Sequence, residues 1–376
     1  MKIVVAIDSL KGSLTSVEAG LVVKEAVLSV FPDADVALAP VADGGEGTVK
    51  ALVEGMNGVY ETVEATGPLG QKVSAVYGIL KESKTAIVEM AQAAGMTLVP
   101  VDQRNPMRTT TYGVGEIIAD AISRGCRHFI VGIGGSATND AGVGMLQALG
   151  FGFYDKHGNQ VGLGGQALGK IASHSAANKL DDLADCTFRV ACDVNNPLYG
   201  SNGAAFVYGP QKGADAEMVL ELDRGLRNLA SVVSEDLAAL PGAGAAGGIG
   251  YGFTAFLGAK LEPGIEIITQ ETGLEAALVG ADFVITGEGR IDSQTSMGKA
   301  PVGVAKLAKK HGAKVIALAG GLTDDAFACN DRGIDAFFSI QTAPVTLEEA
   351  MKRETASKNM RTTVIQLFNL IKSVST

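Results

Sequence analysis

Six times in this chain a short apolar run stops on glycine, carboxylate, amide or cation, and that juxtaposition constrains the fold more than any other feature. The runs end at DSLKGS (8–13), DGGEGT (43–48), GGSATND (134–140), DVNN (193–196), GEGRID (287–292) and GGLTDD (320–325). In an open parallel sheet, ligands bind just beyond the carboxyl ends of the strands. Polar and flexible residues held at those positions therefore point to a strand, loop, helix construction around a shared small-molecule site. Any one such loop is explained by a helix cap or tight turn, because Asp, Ser, Asn and Gly favour both. Their recurrence argues for a site, with Asp140 and Asp325 read as structural. Glycine, at 49 of 376 residues, is well above its usual share of about 7%, and its clustering places backbone close to something.

The order of elements narrows the fold class. Lys2–Ile7 is a β-branched run suited to a buried strand, and Thr15 with Glu18 forms a capping box that opens a helix. A strand over 35–41 and a helix over 48–56 complete a βαβα start, which implies a parallel sheet. The pattern then changes. Residues 59–90 hold three β-rich stretches separated by TGPLG (66–70) and KESK (81–84), an antiparallel meander that does not continue the alternation. Helices are expected over 111–124 and 141–149, with strands over 128–133 and 188–194. A long helix over 216–240 carries Val219, Leu222, Leu226, Leu229, Val233 and Leu237 on one core-facing side. The final third alternates again: strands over 282–286, 314–319 and 336–340, and helices over 302–311, after Thr323, and ending near Lys372. These elements should rejoin the N-terminal sheet. The length exceeds one ordinary core, so we expect two α/β domains with a cleft between them. One is a discontinuous parallel-sheet domain over 1–59 and 276–376. The other is an inserted domain over 60–275 that begins with the meander, residues 128–150 being assignable to either.

Charge and motif content remove whole classes of function. With 31 basic against 41 acidic residues and a net charge of −10, the chain lacks the basic footprint of nucleic-acid or anionic-membrane binders. The apolar stretch at 3–7 is too short for a signal-peptide core, and no run of about 18 apolar residues occurs. Cys126, Cys186, Cys192 and Cys329 show neither a C-x-x-C pattern nor paired metal spacing, so a cytoplasmic protein with reduced thiols is expected. There is no Walker-type P-loop. The GAGAAG string at 242–247 follows Pro241 and a helix, the wrong setting for a dinucleotide fingerprint. None of His128, His157, His174 and His311 lies in a triad or zinc motif.

What survives is phosphoryl transfer. Asp43, Glu46, Asp193 and Asp292 beside Lys11 and Arg290 are the groups that reaction needs: oxygen ligands for magnesium, a base for the acceptor hydroxyl, and cations for the transferring charge. Glycine loops with free amides cradle phosphates. The same composition would also serve a two-domain protein that closes on a hydroxy acid without chemistry.

Nine ordered strings now add up: DSLKGS (8–13), PVADGGEGT (40–48), VEMAQAAG (88–95), TTTYGVGE (109–116), GIGGSATNDAGVGM (132–145), ACDVNNPLYG (191–200), GPQKGA (209–214), PGAGAAGGIG (241–250) and TGEGRIDSQTSMGKAP (286–301). Across essentially its whole length the chain resembles bacterial glycerate kinases of the family containing the 2-phosphoglycerate-forming enzymes. Leu10 departs from the pattern, an aromatic being expected there; the change stays apolar. The resemblance implies ATP-dependent phosphorylation of D-glycerate, favoured at carbon 2, with a Mg²⁺ requirement. It also implies a Rossmann-like or flavodoxin-like domain built from both chain ends with a second α/β domain inserted in it. A related hydroxy acid as acceptor, or 3-phosphoglycerate as product, stays open. For the residues, Lys11 and Arg290 are expected to supply charge, and Asp8, Ser13, Asn195 and Arg290 to hold the acceptor. Asp193 is the candidate base, with Asp43 able to exchange roles with it. Glu46 and Asp292 are the candidate metal ligands. Gly134, Gly135, Ser136, Gly244, Gly247 and Gly248 are the candidate nucleotide contacts.

Overall fold

The computed structural model describes residues 1–42 and 47–375. Asp43 and Glu46 lie outside the described residues. The strands among those residues are, in chain order, β1 Lys2–Ile7, β2 Asp35–Leu38, β3 Val59–Thr66, β4 Lys72–Leu80, β5 Thr85–Glu89, β6 His128–Gly132, β7 Gly152–Tyr154, β8 Ser173–Ser175, β9 Thr187–Ala191, β10 Lys260–Glu262, β11 Phe283–Ile291, β12 Lys314–Leu322 and β13 Ala336–Ser339. The chain gathers into two units: Met1–Asp43, Lys50–Met56 and Ile265–Thr376 form one, Gly44–Val49 and Asn57–Gly264 the other.

In the first unit five parallel strands run in the order β13-β12-β11-β1-β2. The continuous apolar sequence of β1 suits a strand covered on both faces, and Ile3 to Ile7 are all buried. The helix Ser16–Val30 starts where the capping box places it: Thr15 Oγ1 accepts from Glu18 N at 3.2 Å and Glu18 accepts from Thr15 N at 2.9 Å. Met360, Val364 and Phe368 of the last helix, Arg353–Ser375, complete that core with Val23 and Val27. Strands from the final third do rejoin the N-terminal sheet. Because β2 lies on one side of β1 and β11 on the other, the strand order reverses between β1 and β11. Their carboxyl ends, with Ile7 opposite Gly287, therefore flank a crevice of the kind that binds ligands.

The second unit holds a six-stranded sheet in the order β10-β9-β6-β5-β4-β3 and a small β7-β8 pair. β3, β4 and β5 form the expected antiparallel meander, while β5, β6, β9 and β10 are parallel. Residues 128–150 fall wholly in this unit, since β6 takes its hydrogen bonds from β5 on one side and β9 on the other. Ile265 and the residues after it group with the first unit, earlier than the expected 276, because Ile265 packs over Gly303 in the helix Ala300–Lys310; a Cβ at Gly303 would stand 2.5 Å from its side chain.

Two helices differ from expectation. The one expected over 216–240 is broken into Ala216–Val233 and Glu235–Ala238, because Ser234 is extended at φ −167° and exchanges backbone hydrogen bonds with the Tyr251 hydroxyl at 3.1 and 3.0 Å. The segment after Thr323 is a 3₁₀ helix, Asp324–Arg332, whose buried Ala326 and Cys329 are three apart, the spacing that shares a face in that geometry.

Candidate active site

The crevice between the ends of β1 and β11 opens into a pocket of about 700 Å³. Asp8 and Glu288 are its acidic wall. They follow the paired residues Ile7 and Gly287 on adjacent parallel strands, both are buried, and Asp8 N donates to the Gly287 carbonyl at 2.8 Å. The cations Lys11, Arg290 and Lys299 line the same pocket. Strand β12 closes in because Gly320 has no side chain: a Cβ there would lie 2.8 Å from the Gly289 carbonyl oxygen. Two pocket residues carry buried polar atoms without a hydrogen-bond partner, Ser13 Oγ and Gln341 Oε1. Buried polar groups are paired in the great majority of cases, so these atoms mark where a polar ligand has something to satisfy.

Of the residues singled out in the sequence, Asp8, Lys11, Ser13, Arg290 and Asp292 are brought together here. Arg290 is 66% exposed, and its guanidinium stands 3.7 Å from Asp292. Asp292 already caps the short helix Ser293–Ser296, accepting from Gln294 N at 2.9 Å. Among the described residues no cluster of three or more His, Cys, Asp or Glu side chains has metal-binding geometry. Mg²⁺, however, is usually held by one or two carboxylates, with phosphates and waters making up the rest. Asp8 and Glu288 supply a pair of that kind, each already accepting one hydrogen bond: Asp8 Oδ1 from Ser9 N at 2.6 Å and Glu288 Oε1 from the Thr295 hydroxyl at 2.5 Å.

A second polar group lies at the carboxyl ends of β5, β6 and β9. Glu89, ending β5, accepts from Gly47 N at 3.0 Å and Val49 N at 2.9 Å, holding the start of the helix Thr48–Gly55. Beyond β6, Gly134 and Gly135 are exposed and Ser136 is buried. Ser136 Oγ accepts a 2.7 Å hydrogen bond from Lys212, a lysine only 2% exposed, whose Nζ also donates to the Thr138 carbonyl at 2.6 Å. Burial pushes the Lys212 ammonium down to about 7, and Asp140 opposes the shift. Asp140 is structural, as its sequence setting suggests: it accepts from Thr111 N, Thr111 Oγ1 and Gly142 N at 2.9, 3.0 and 3.2 Å. Burial raises its carboxyl above the usual range, and these hydrogen bonds pull it back. Asp193 is exposed past β9, accepting from Gly264 N at 3.0 Å, and Asn195 is exposed two residues on.

Gly244, Gly247 and Gly248 are buried, and what they make room for is the chain's own backbone. A Cβ on Gly244 would lie 2.1 Å from the Pro197 carbonyl oxygen, and one on Gly247 2.0 Å from that of Thr138. Gly247 and Gly248 thus pack against the loop after β6, and Gly244 against the segment after β9.

The sequence reading assigned no role to Glu288, Lys299, Gln341, Glu89 or Lys212. A signal existed for four of them: Glu288 and Lys299 stand inside TGEGRIDSQTSMGKAP, Glu89 inside VEMAQAAG and Lys212 inside GPQKGA.

Among the described residues no helix is long and apolar enough to cross a membrane. Residues 3–372 match the model of the glycerate kinase family. The chain is 49% identical to the glycerate 2-kinase of Escherichia coli (strain K12) over 356 residues, covering 94% of this chain and 93% of that one. It is 46% identical to the glycerate kinase of Bacillus subtilis (strain 168) over 380 residues, covering 100% and 99%. A crystal structure provisionally named glycerate kinase 2, from Salmonella typhimurium LT2, superposes with a TM-score of 0.91 at 47% identity, over 100% of this chain and 99% of that one. With a strand-end pocket of facing carboxylates and cations and a match along nearly its whole length, the chain belongs to the glycerate kinase family.

Proposed function

We propose that the protein transfers the terminal phosphoryl group of ATP to the 2-hydroxyl of D-glycerate. The observation that carries this reading is the pocket at the β1/β11 reversal, where buried Asp8 and Glu288 face Lys11, Arg290 and Lys299. Phosphoryl transfer asks little covalent chemistry of the protein; it asks for in-line positioning and for charge around the moving group. The new bond joins the glycerate oxygen to the γ-phosphorus, the bond to the bridging oxygen of ADP breaks, and the hydroxyl proton leaves to a carboxylate. Arg290 and Lys11 supply positive charge for the phosphoryl oxygens or the glycerate carboxylate, the planar guanidinium of Arg290 being suited to bidentate contact. Mg²⁺, when bound, neutralises phosphate charge; we assign Asp8 and Glu288 to hold it, so that Asp8 serves the metal and not the acceptor. Asp193 orients the acceptor hydroxyl and takes its proton. Residues 134–136 contact the nucleotide phosphates through backbone amides and the Ser136 hydroxyl, with Gly247 and Gly248 packed against the residues that follow them. We read the two units as the two domains of the enzyme.

A phosphorus NMR time course with Mg²⁺, ATP and D-glycerate tests the reading. The 2-phosphoglycerate signal is the expected result. Growth of 3-phosphoglycerate would keep the kinase and reverse the acceptor, and ATP that survives with glycerate present would reject glycerate as the substrate. Asp193→Ala is expected to lower kcat by at least about 10²-fold while the protein stays folded, its melting temperature falling by no more than about 3 °C for the lost hydrogen bond from Gly264 N. Near-normal turnover in that variant would dismiss Asp193 as the base.

A further inference from the structure

Lys212 is a cation that the fold keeps from water without giving it a full set of partners. Its ammonium donates to Ser136 Oγ at 2.7 Å and to the Thr138 carbonyl at 2.6 Å. The charge facing it is Asp140, which is already shared among Thr111 and Gly142 donors. The neighbouring polar groups are under-satisfied. Thr138 Oγ1 and both amide atoms of Asn139 are buried without a hydrogen-bond partner, although both residues are fully shielded. Arg104 Nε is in the same condition, and its backbone lies against Gly213, where a Cβ would stand 2.2 Å from the Arg104 carbonyl oxygen. An ammonium in this setting is stabilised by further negative charge nearby.

The hydrogen-bond directions say where that charge sits. In its ammonium form, the form a bound anion favours, Lys212 can only donate, so Ser136 Oγ is then the acceptor and the Ser136 hydroxyl proton is donated elsewhere. Immediately before it come Gly134 and Gly135, both exposed. Gly135 is left-handed at φ +73°, and a Cβ on it would meet nothing nearer than Ala91 Cβ at 3.7 Å. The strand end thus presents open backbone beside a hydroxyl polarised by a cation.

We propose that Lys212 is a positioning residue for a substrate oxyanion docked on residues 134–136: it fixes Ser136 and Thr138, turns the Ser136 hydroxyl into an outward donor, and places positive charge behind the loop. The inference rests on the assignment of residues 134–136 made above. It commits to an oxyanion and leaves its source, nucleotide phosphate or glycerate carboxylate, to the experiment. A consequence separates this role from a merely structural one. With the ammonium near 7 in the free protein, an anion held at the loop draws a proton onto Lys212, so binding and proton uptake are linked. The titratable group facing Lys212 is Asp140; Ser136 and Thr138 are neutral, and the guanidinium on the adjacent segment is that of Arg104.

The test is calorimetry at pH 7.5 in buffers of different ionisation enthalpy, titrating ADP in one arm and D-glycerate in the other, with the wild-type protein and Lys212→Met. In one arm the wild type should take up more protons than the variant, by as much as about 0.7 per site for a group starting near 7. That same ligand should bind the variant at least about 10-fold more weakly while the other binds normally, and the responding arm names the oxyanion. Equal uptake by both proteins in both arms, with binding and turnover intact, overturns this proposal alone. A wild-type protein that binds neither ligand overturns the glycerate kinase reading with it. Should Lys212→Met fail to fold, Ser136→Ala serves instead: a comparable loss of affinity for one ligand supports the relay, and unchanged affinity for both rejects it.

Discussion

Arg290→Ala is expected to lower kcat/KM by about 10³-fold while shifting the melting temperature by no more than about 2 °C. The two halves of that expectation come from different observations. Stability should hardly move because the side chain is 66% exposed and its ion pair with Asp292 is a long 3.7 Å. Exposed pairs of that kind contribute about 0–1 kcal/mol. Activity should fall steeply because the guanidinium stands in the pocket with Asp8 and Glu288, where charge develops during transfer and a fixed cation is far more effective than in bulk water. Arg290→Lys separates charge from shape. It keeps the cation but loses the planar fork, so it should recover only part of the lost rate. Steady-state kinetics and a thermal melt on the three proteins decide the matter, and an alanine variant within a few-fold of wild type would remove Arg290 from the machinery.

What could be read from the sequence was whatever local pattern determines. The run at Lys2–Ile7, the capping box at Thr15 and Glu18 and the meander after residue 59 each carry their own signal, and each appears where expected. The loops after β1 and β11 were recognisable for the same reason, and so were Asp8, Lys11, Ser13, Arg290 and Asp292 as pocket residues. For residues defined by a distant partner the motif was legible but the role was not. Glu288 matters because β11 pairs with β1 in a register that sets it beside Asp8, 280 positions away in the chain. Lys212 stands in GPQKGA without a role of its own until its 3₁₀ turn, Pro210–Lys212, brings it to Ser136. The break at Ser234 depends on the hydroxyl of Tyr251, a tertiary contact that outweighs a helical pattern continuing through it.

Gly247 shows the same limit, and it yields the sharpest stability prediction. In a string of glycines the residue looks like a phosphate cradle; in the fold it is a contact between two pieces of backbone. Its φ is +80°, and a Cβ would stand 2.0 Å from the Thr138 carbonyl oxygen, while its own carbonyl accepts from Ala141 N at 3.0 Å. Gly247→Ala therefore combines left-handed strain, about 1–2 kcal/mol, with an overlap that no rotamer relieves, about 1–3 kcal/mol or more. The variant should lose roughly 3–5 kcal/mol and, in a chain of 376 residues, melt about 4–6 °C lower. Gly158→Ala is the control: its φ is +81° but a Cβ there meets nothing within 4 Å, so it should lose only about 1 kcal/mol. The pair distinguishes two roles for Gly247. A packing role predicts that the Gly247 variant unfolds early, and it extends to function, because the Thr138 carbonyl being pushed is the one that holds Lys212. A direct nucleotide contact predicts instead a normal melt with weakened ADP affinity. Thermal melts of the two variants, with and without ADP, tell these apart, and a Gly247→Ala protein as stable as its control would end the packing account.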